Sequence, residues 1–146
     1  MALMVPNGTG ITGTTEFDKG IVAQAGLQKD AKVLYLDRTD NKWKLADATS
    51  AIKAGRDGLR IQLTQTEADG DTAMMAVSGE MNIAASAALV PGTSYYVSAT
   101  AGSMCEESDL VGGNFKTLVG ITGAEGATST DLSEFVLQPV ASGKTV

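Results

Sequence analysis

Alternation of polar and apolar residues is clearest in Gly58-Leu59-Arg60-Ile61-Gln62-Leu63-Thr64, where every second residue is a large aliphatic. Facing in a strand repeats every two residues, so Leu59, Ile61 and Leu63 are predicted to point inward from one amphipathic strand. Lys32-Val33-Leu34-Tyr35-Leu36-Asp37 lacks that alternation. Its unbroken centre of β-branched, aromatic and leucine residues predicts a strand at least partly covered on both faces. Asp40-Asn41 supplies a turn, after which Lys42-Trp43-Lys44-Leu45 alternates again. The apolar run Ile21–Gln28 precedes this group, and Lys29-Asp30 forms a hairpin connection between the two.

Thr72–Val77 and Glu80–Ile83 read as two strands around Ser78-Gly79, where the glycine marks a bulge or a tight corner. Pro91-Gly92 is a strong turn signal, because proline fixes φ at one corner and glycine accepts a positive φ at the next. It launches the strand Ser94-Tyr95-Tyr96-Val97-Ser98, closed by Ala101-Gly102-Ser103. An irregular acidic loop over Met104–Lys116 then leads to Leu118-Val119-Gly120-Ile121, a second strand of the same sheet. Glu134-Phe135-Val136-Leu137-Gln138 is the last predicted strand, stopped by Pro139. One short helix is expected over Asp47–Ala54, ended by Gly55. Ala84–Ala88 fits either a helical turn or a close-packed bend.

Turn signals at intervals of about 8–12 residues, with no long amphipathic helix to serve as a crossover, make the expected fold class all-β. The architecture is a single small β-sandwich or β-barrel with an extended N-terminal arm and at most one short helix. Residues 1–19 form the arm, 20–140 the β domain and 141–146 a C-terminal tail. Glycine and threonine dominate the arm, and no hydrophobic period persists in it. Its scattered apolar residues Val5, Ile11 and Phe17 suit a strap that orders against a neighbouring subunit; a disordered terminus is the competing reading.

Composition changes this picture little. A chain of 146 residues that is 43% hydrophobic is long enough to bury a core without metal or disulfides. Aromatic residues make up only 5%, so that core is built from small side chains, with Met74 and Met75 as filler or as an interface contact. Trp43, the sole tryptophan, reads as a core plug rather than a ligand platform. A single cysteine fits a reducing compartment, and no secretory signal or membrane-spanning apolar run is present. Charge is lopsided: nine basic against seven acidic residues up to position 60, then two against ten. The acidic half repels phosphate backbones and argues against nucleic-acid binding. It is either a solvated face, or one end of a molecule whose near-neutral end docks on a partner.

Catalytic chemistry is poorly represented. Without histidine there is no Ser-His or Cys-His pair, no histidine metal site and no ordinary general base near neutral pH. Cys105 lies beside Glu106 and Glu107, which raise a thiol pKa, so it is expected to be inert. Ser142-Gly143-Lys144-Thr145 resembles the end of a phosphate-binding loop, but Gln138 stands where the leading glycine is required. Glu67 and Asp69-Gly70-Asp71 read as a polar turn, since no glutamate follows at calcium-loop spacing. Paired carboxylates of a glycosidase would need an aromatic-lined cleft, for which seven aromatic residues leave little. No enzyme, metal or cofactor is expected, and a carboxylate-dependent hydrolase is the least favoured reading.

Leu89-Val90-Pro91-Gly92-Thr93-Ser94-Tyr95-Tyr96-Val97-Ser98-Ala99-Thr100-Ala101-Gly102, a variable loop, then Leu118-Val119-Gly120-Ile121-Thr122, is similar to tailed-bacteriophage virion proteins. The pattern resembles head decoration (cement) proteins and modules of tail fibres, and Asp30–Leu36 and Gly58–Ile61 echo the style. The resemblance spans about residues 20–138 through short motifs, and no fibre stalk is present. It implies a structural protein of the capsid exterior, made in the host cytoplasm. As a homotrimer it would bridge major capsid protein subunits, binding neither nucleic acid nor membrane. The alternative it implies is a receptor- or glycan-binding module of a tail fibre. Val5, Ile11 and Phe17 would then anchor the arm on the partner, with Met104 or Phe115 as a further contact.

Overall fold

The computed structural model describes residues 3–4, 6–11, 16–23, 32–64, 66, 68–85, 90, 92–122 and 133–146. Among them the chain is nearly all β, with eleven strands and one 3-10 turn at Glu107–Asp109. The first half contributes β1 (Leu3–Met4), β2 (Pro6–Ile11), β3 (Glu16–Ile21), β4 (Val33–Asp37), β5 (Lys42–Leu45) and β6 (Leu59–Gln62). The second contributes β7 (Thr72–Ala85), β8 (Ser94–Val97), β9 (Met104–Cys105), β10 (Phe115–Thr122) and β11 (Ser133–Thr145). Every strand pairing is antiparallel, in the order β1-β9-β8-β10-β11-β7-β6-β4-β5, and β2 and β3 both lie along β7.

β7 joins two curled halves. Thr72–Ser78 pair with β3 and, at Met75 and Ala76, with β6. From Gly79 to Ile83 the strand pairs with β11, and from Met81 to Ala85 with β2. Gly79 sits at the changeover with φ near 98°, a conformation costly for any residue carrying a Cβ. The expected pair of strands around this glycine is thus one bent strand. On one side of it, β3, β7, β6, β4 and β5 follow one another. A lone parallel bridge from Val22 to Trp43 brings the beginning of this series back against its end.

Strand alternation distributes two cores. Leu34 and Leu36 of β4 face Trp43, Ala73, Met75 and Val22 in the smaller cluster, inside that five-strand curl. Val33 and Tyr35 face the other way, joining Leu59, Ile61 and Ala76 in the main core. Tyr95, Val97, Val119, Phe135 and Leu137 complete that core from the second half. β4 is therefore covered on both faces, as its unbroken apolar run requires. Leu59 and Ile61 are buried and Leu63 packs on the core, as their alternation predicts.

The predicted unit of β8 and its partner is present: Leu118 lies opposite Tyr96, Gly120 opposite Tyr95 and Ile121 opposite Ser94. Gly92 has the expected positive φ, near 66°. Three expectations are corrected. Asp47–Ala54 makes successive turns rather than a helix, because its backbone serves other segments. Ala48 N–H donates to Ser98 O at 2.9 Å, and Ala48 O accepts from Phe115 N–H at 2.7 Å. The Met104–Lys116 loop begins with β9 and ends inside β10. Pro139 does not stop the last strand, since a register shift between Leu118 and Gly120 leaves room for it, and β11 runs on to Thr145. The described residues among those assigned to an arm lie in strands, and β2 and β3 pair with this chain's own β7. The Lys29-Asp30 connection lies outside the described residues.

Candidate functional site

Among the described residues β3 presents two large exposed apolar side chains, Phe17 and Ile21. A Cβ at Gly20 would lie 2.8 Å from both Met75 and Trp43, so Gly20 faces the smaller core across a gap that admits no side chain. Strand alternation then turns Phe17, Lys19 and Ile21 to the other face. Phe17 remains 52% exposed and Ile21 45%. Exposed singly such residues are ordinary; two on one face of a strand mark a surface able to meet a partner.

The other expected contact residues are dispersed. Val5 lies outside the described residues, and Ile11 ends β2 opposite Met81. Met104 is fully buried in the main core together with its neighbour Cys105, so it offers no surface to a partner. Phe115 is partly buried at the start of β10, opposite Thr145.

A second feature was not foreseen in the sequence. The β4–β5 hairpin, the turns after it and the turn at Ala101 enclose a groove of about 350 Å³. Ala23, Leu45 and Ala101 supply apolar wall, and Tyr35, Lys44, Asp47 and Lys53 supply polar groups. Tyr35 is only 6% exposed, and burial raises its phenol pKa above the ordinary value, so the hydroxyl stays protonated. Tyr95, by comparison, accepts a bond from Val90 N–H at 3.0 Å through its hydroxyl.

Lys44 and its acids form a small network. Its Nζ lies 2.7 Å from Asp37 and 3.1 Å from Asp40. Asp37 also accepts from the Thr39 hydroxyl at 2.6 Å and the Thr39 N–H at 2.9 Å. These donors, the ammonium first, hold the Asp37 carboxyl well below its usual range, and the two carboxylates raise Lys44 above its own. A depressed folded pKa means that the unfolded chain takes up the proton first. The contribution of Asp37 is therefore complete above its ordinary value of 3.8 and drains away as pH falls from there toward the folded value. Asp37→Asn is expected to lower the urea midpoint at about pH 7 and to differ less from the parent at about pH 2. Equal differences at the two pH values would show that the pair does not operate this way.

Cys105 is buried, and its thiol is pushed up to about 11, first by burial and then by Asp109, against a lowering hydrogen bond with Ser98. The direction is the one expected from sequence, although burial rather than its glutamate neighbours dominates. Among the described residues no group of three or more Cys, Asp or Glu is placed to hold a metal ion. No helix among them is long and apolar enough to cross a membrane. Comparison with known proteins gives no match: no family model fits the sequence, and no curated protein or solved structure is similar to it.

Proposed function

We propose that this chain is a structural virion protein that binds the outer surface of a phage capsid and bridges major capsid protein subunits. The observation that carries this reading is the outward face of β3, where Phe17 and Ile21 stand half exposed on a backbone paired with β7. Lys19 stands between them on that face, so the surface offers two apolar side chains flanking a charge, and a backbone already paired has less freedom to lose on docking. The sequence resemblance through Leu89–Thr122 supplies the partner, and a homotrimer would multiply modest contacts into firm attachment. The work is adhesive and needs no catalytic group.

Co-sedimentation with expanded capsid shells tests it. The parent chain is expected to pellet with the shells, and the double substitution of Phe17→Ser and Ile21→Ser to weaken binding by about tenfold or more. Both side chains are about half exposed and belong to neither core, so this variant spares the core, whereas deleting residues 1–19 would strip β2 and most of β3 from β7. A parent chain that stays in the supernatant would overturn the proposal. Binding to receptor glycans without binding to shells would transfer the assignment to a tail-fibre module.

A further inference from the structure

We infer that the groove lined by Tyr35, Lys44, Asp47 and Lys53 is a binding site for a small hydroxylated carboxylate, of the size and chemistry of a sugar acid. The volume, about 350 Å³, falls in the range of small-molecule sites, and the mixture of apolar wall with a few polar groups has the usual composition.

The ligand class follows from which polar groups are already satisfied. Lys44 is engaged by Asp37 and Asp40, leaving one of its three protons free. Among the described residues the Lys53 ammonium makes no ion pair, and the Tyr35 side chain lines the groove beside it. One Asp47 oxygen caps Thr49, accepting from its N–H at 2.9 Å and from its hydroxyl. Among the described residues nothing donates to the other oxygen, which can accept from a ligand. Among the described residues the groove therefore offers two ammonium groups with protons to give, against one acceptor.

Two such ammonium groups suit a carboxylate, whose two oxygens accept about four bonds. The spare Asp47 oxygen asks for a hydroxyl on the same molecule. Charge sets the upper limit. Lys32 lies beside the groove, its stem 3.4 Å from where a Cβ on Gly102 would sit and Leu45 on the same spot. Lys32, Lys44 and Lys53 are then balanced by Asp37, Asp40 and Asp47, so a dianion such as phosphate gains no excess of positive charge there. Tyr35 offers its hydroxyl and not its ring face, since the ring is in the main core. Recognition is thus by hydrogen bonds and charge, without the aromatic stacking that gives tight sugar sites much of their affinity.

Titration of the 15N-labelled full chain, followed by amide chemical shifts, tests the site, and it involves no capsid, so it stands or falls apart from the adhesive role. The probes are glucuronate, glucose and inorganic phosphate. Glucuronate is expected to give saturable shifts confined to Tyr35, Lys44, Leu45, Asp47, Lys53 and Ala101. Glucose and phosphate should each bind at least about tenfold more weakly. Tyr35→Phe keeps the buried ring and Lys53→Gln changes an exposed side chain, so both variants retain the parent spectrum elsewhere. Each is expected to weaken glucuronate by about tenfold. Shifts that are dispersed or do not saturate, phosphate binding as well as glucuronate, or parent-like binding by both variants would each overturn the assignment.

Discussion

Replacing Gly120 by alanine is expected to destabilise the protein by about 3 kcal/mol, the upper part of the range for overpacking, and valine there to prevent folding. Gly120 lies in the middle of β10, paired with Tyr95 on one side and Leu137 on the other. An added Cβ would sit 2.2 Å from the Val136 carbonyl oxygen and 2.5 Å from the Phe135 ring. Neither can yield cheaply: the oxygen belongs to the neighbouring strand, and Phe135 is fully buried among the main-core residues. β10 and β11 would have to part. Gly112, where an added Cβ meets nothing within 4 Å, is the control, and its alanine variant should stay within about 0.5 kcal/mol of the parent. Urea titration checks both, and a Gly120→Ala midpoint equal to that of Gly112→Ala would contradict the argument.

Trp43→Ala is expected to cost about 3–5 kcal/mol, the usual loss for truncating a buried tryptophan. Trp43 is the largest member of the smaller core, and three close approaches frame its ring. Gly20 and Gly58 pass where a Cβ would come within 2.8 and 3.1 Å of it, and the Arg60 guanidinium lies 4.4 Å from the ring centre. Its backbone also receives the returning chain, since Trp43 O accepts from Ala23 N–H at 3.1 Å. Removing the ring leaves a hole bounded by two glycines and a charged group, which small side chains cannot fill by relaxing. Circular dichroism is the suitable monitor, because the substitution removes the only tryptophan. Loss of less than about 1 kcal/mol would mean that the smaller core contributes little.

The legible parts of the sequence were those in which side-chain pattern and burial coincide. Leu59-Arg60-Ile61 could be read because one face meets the main core, and Val33-Leu34-Tyr35 because both faces are covered. The buried Gln62 breaks the same pattern, and its Oε1 has no hydrogen-bond partner. Asp47–Ala54 misled because local preference favours a helix, while its backbone is committed to Ser98 and Phe115, far along the chain. The pairing of β2 with β7 left no sign, because Asn-Gly-Thr-Gly carries no apolar period and pairs through its backbone. For the candidate groove the obstacle was distance in sequence. Ala23 and Ala101 reach Tyr35 only after the sheet has curled, and Lys53 depends on turns that the helical reading would have placed elsewhere.

Because β7 belongs to both halves, its fourteen residues act as a common spar. A tug on β11 reaches β6 through one continuous backbone, across Gly79. In the proposed capsid role such a strand would spread load over both cores together, so that one grip would not peel away while the other stays behind.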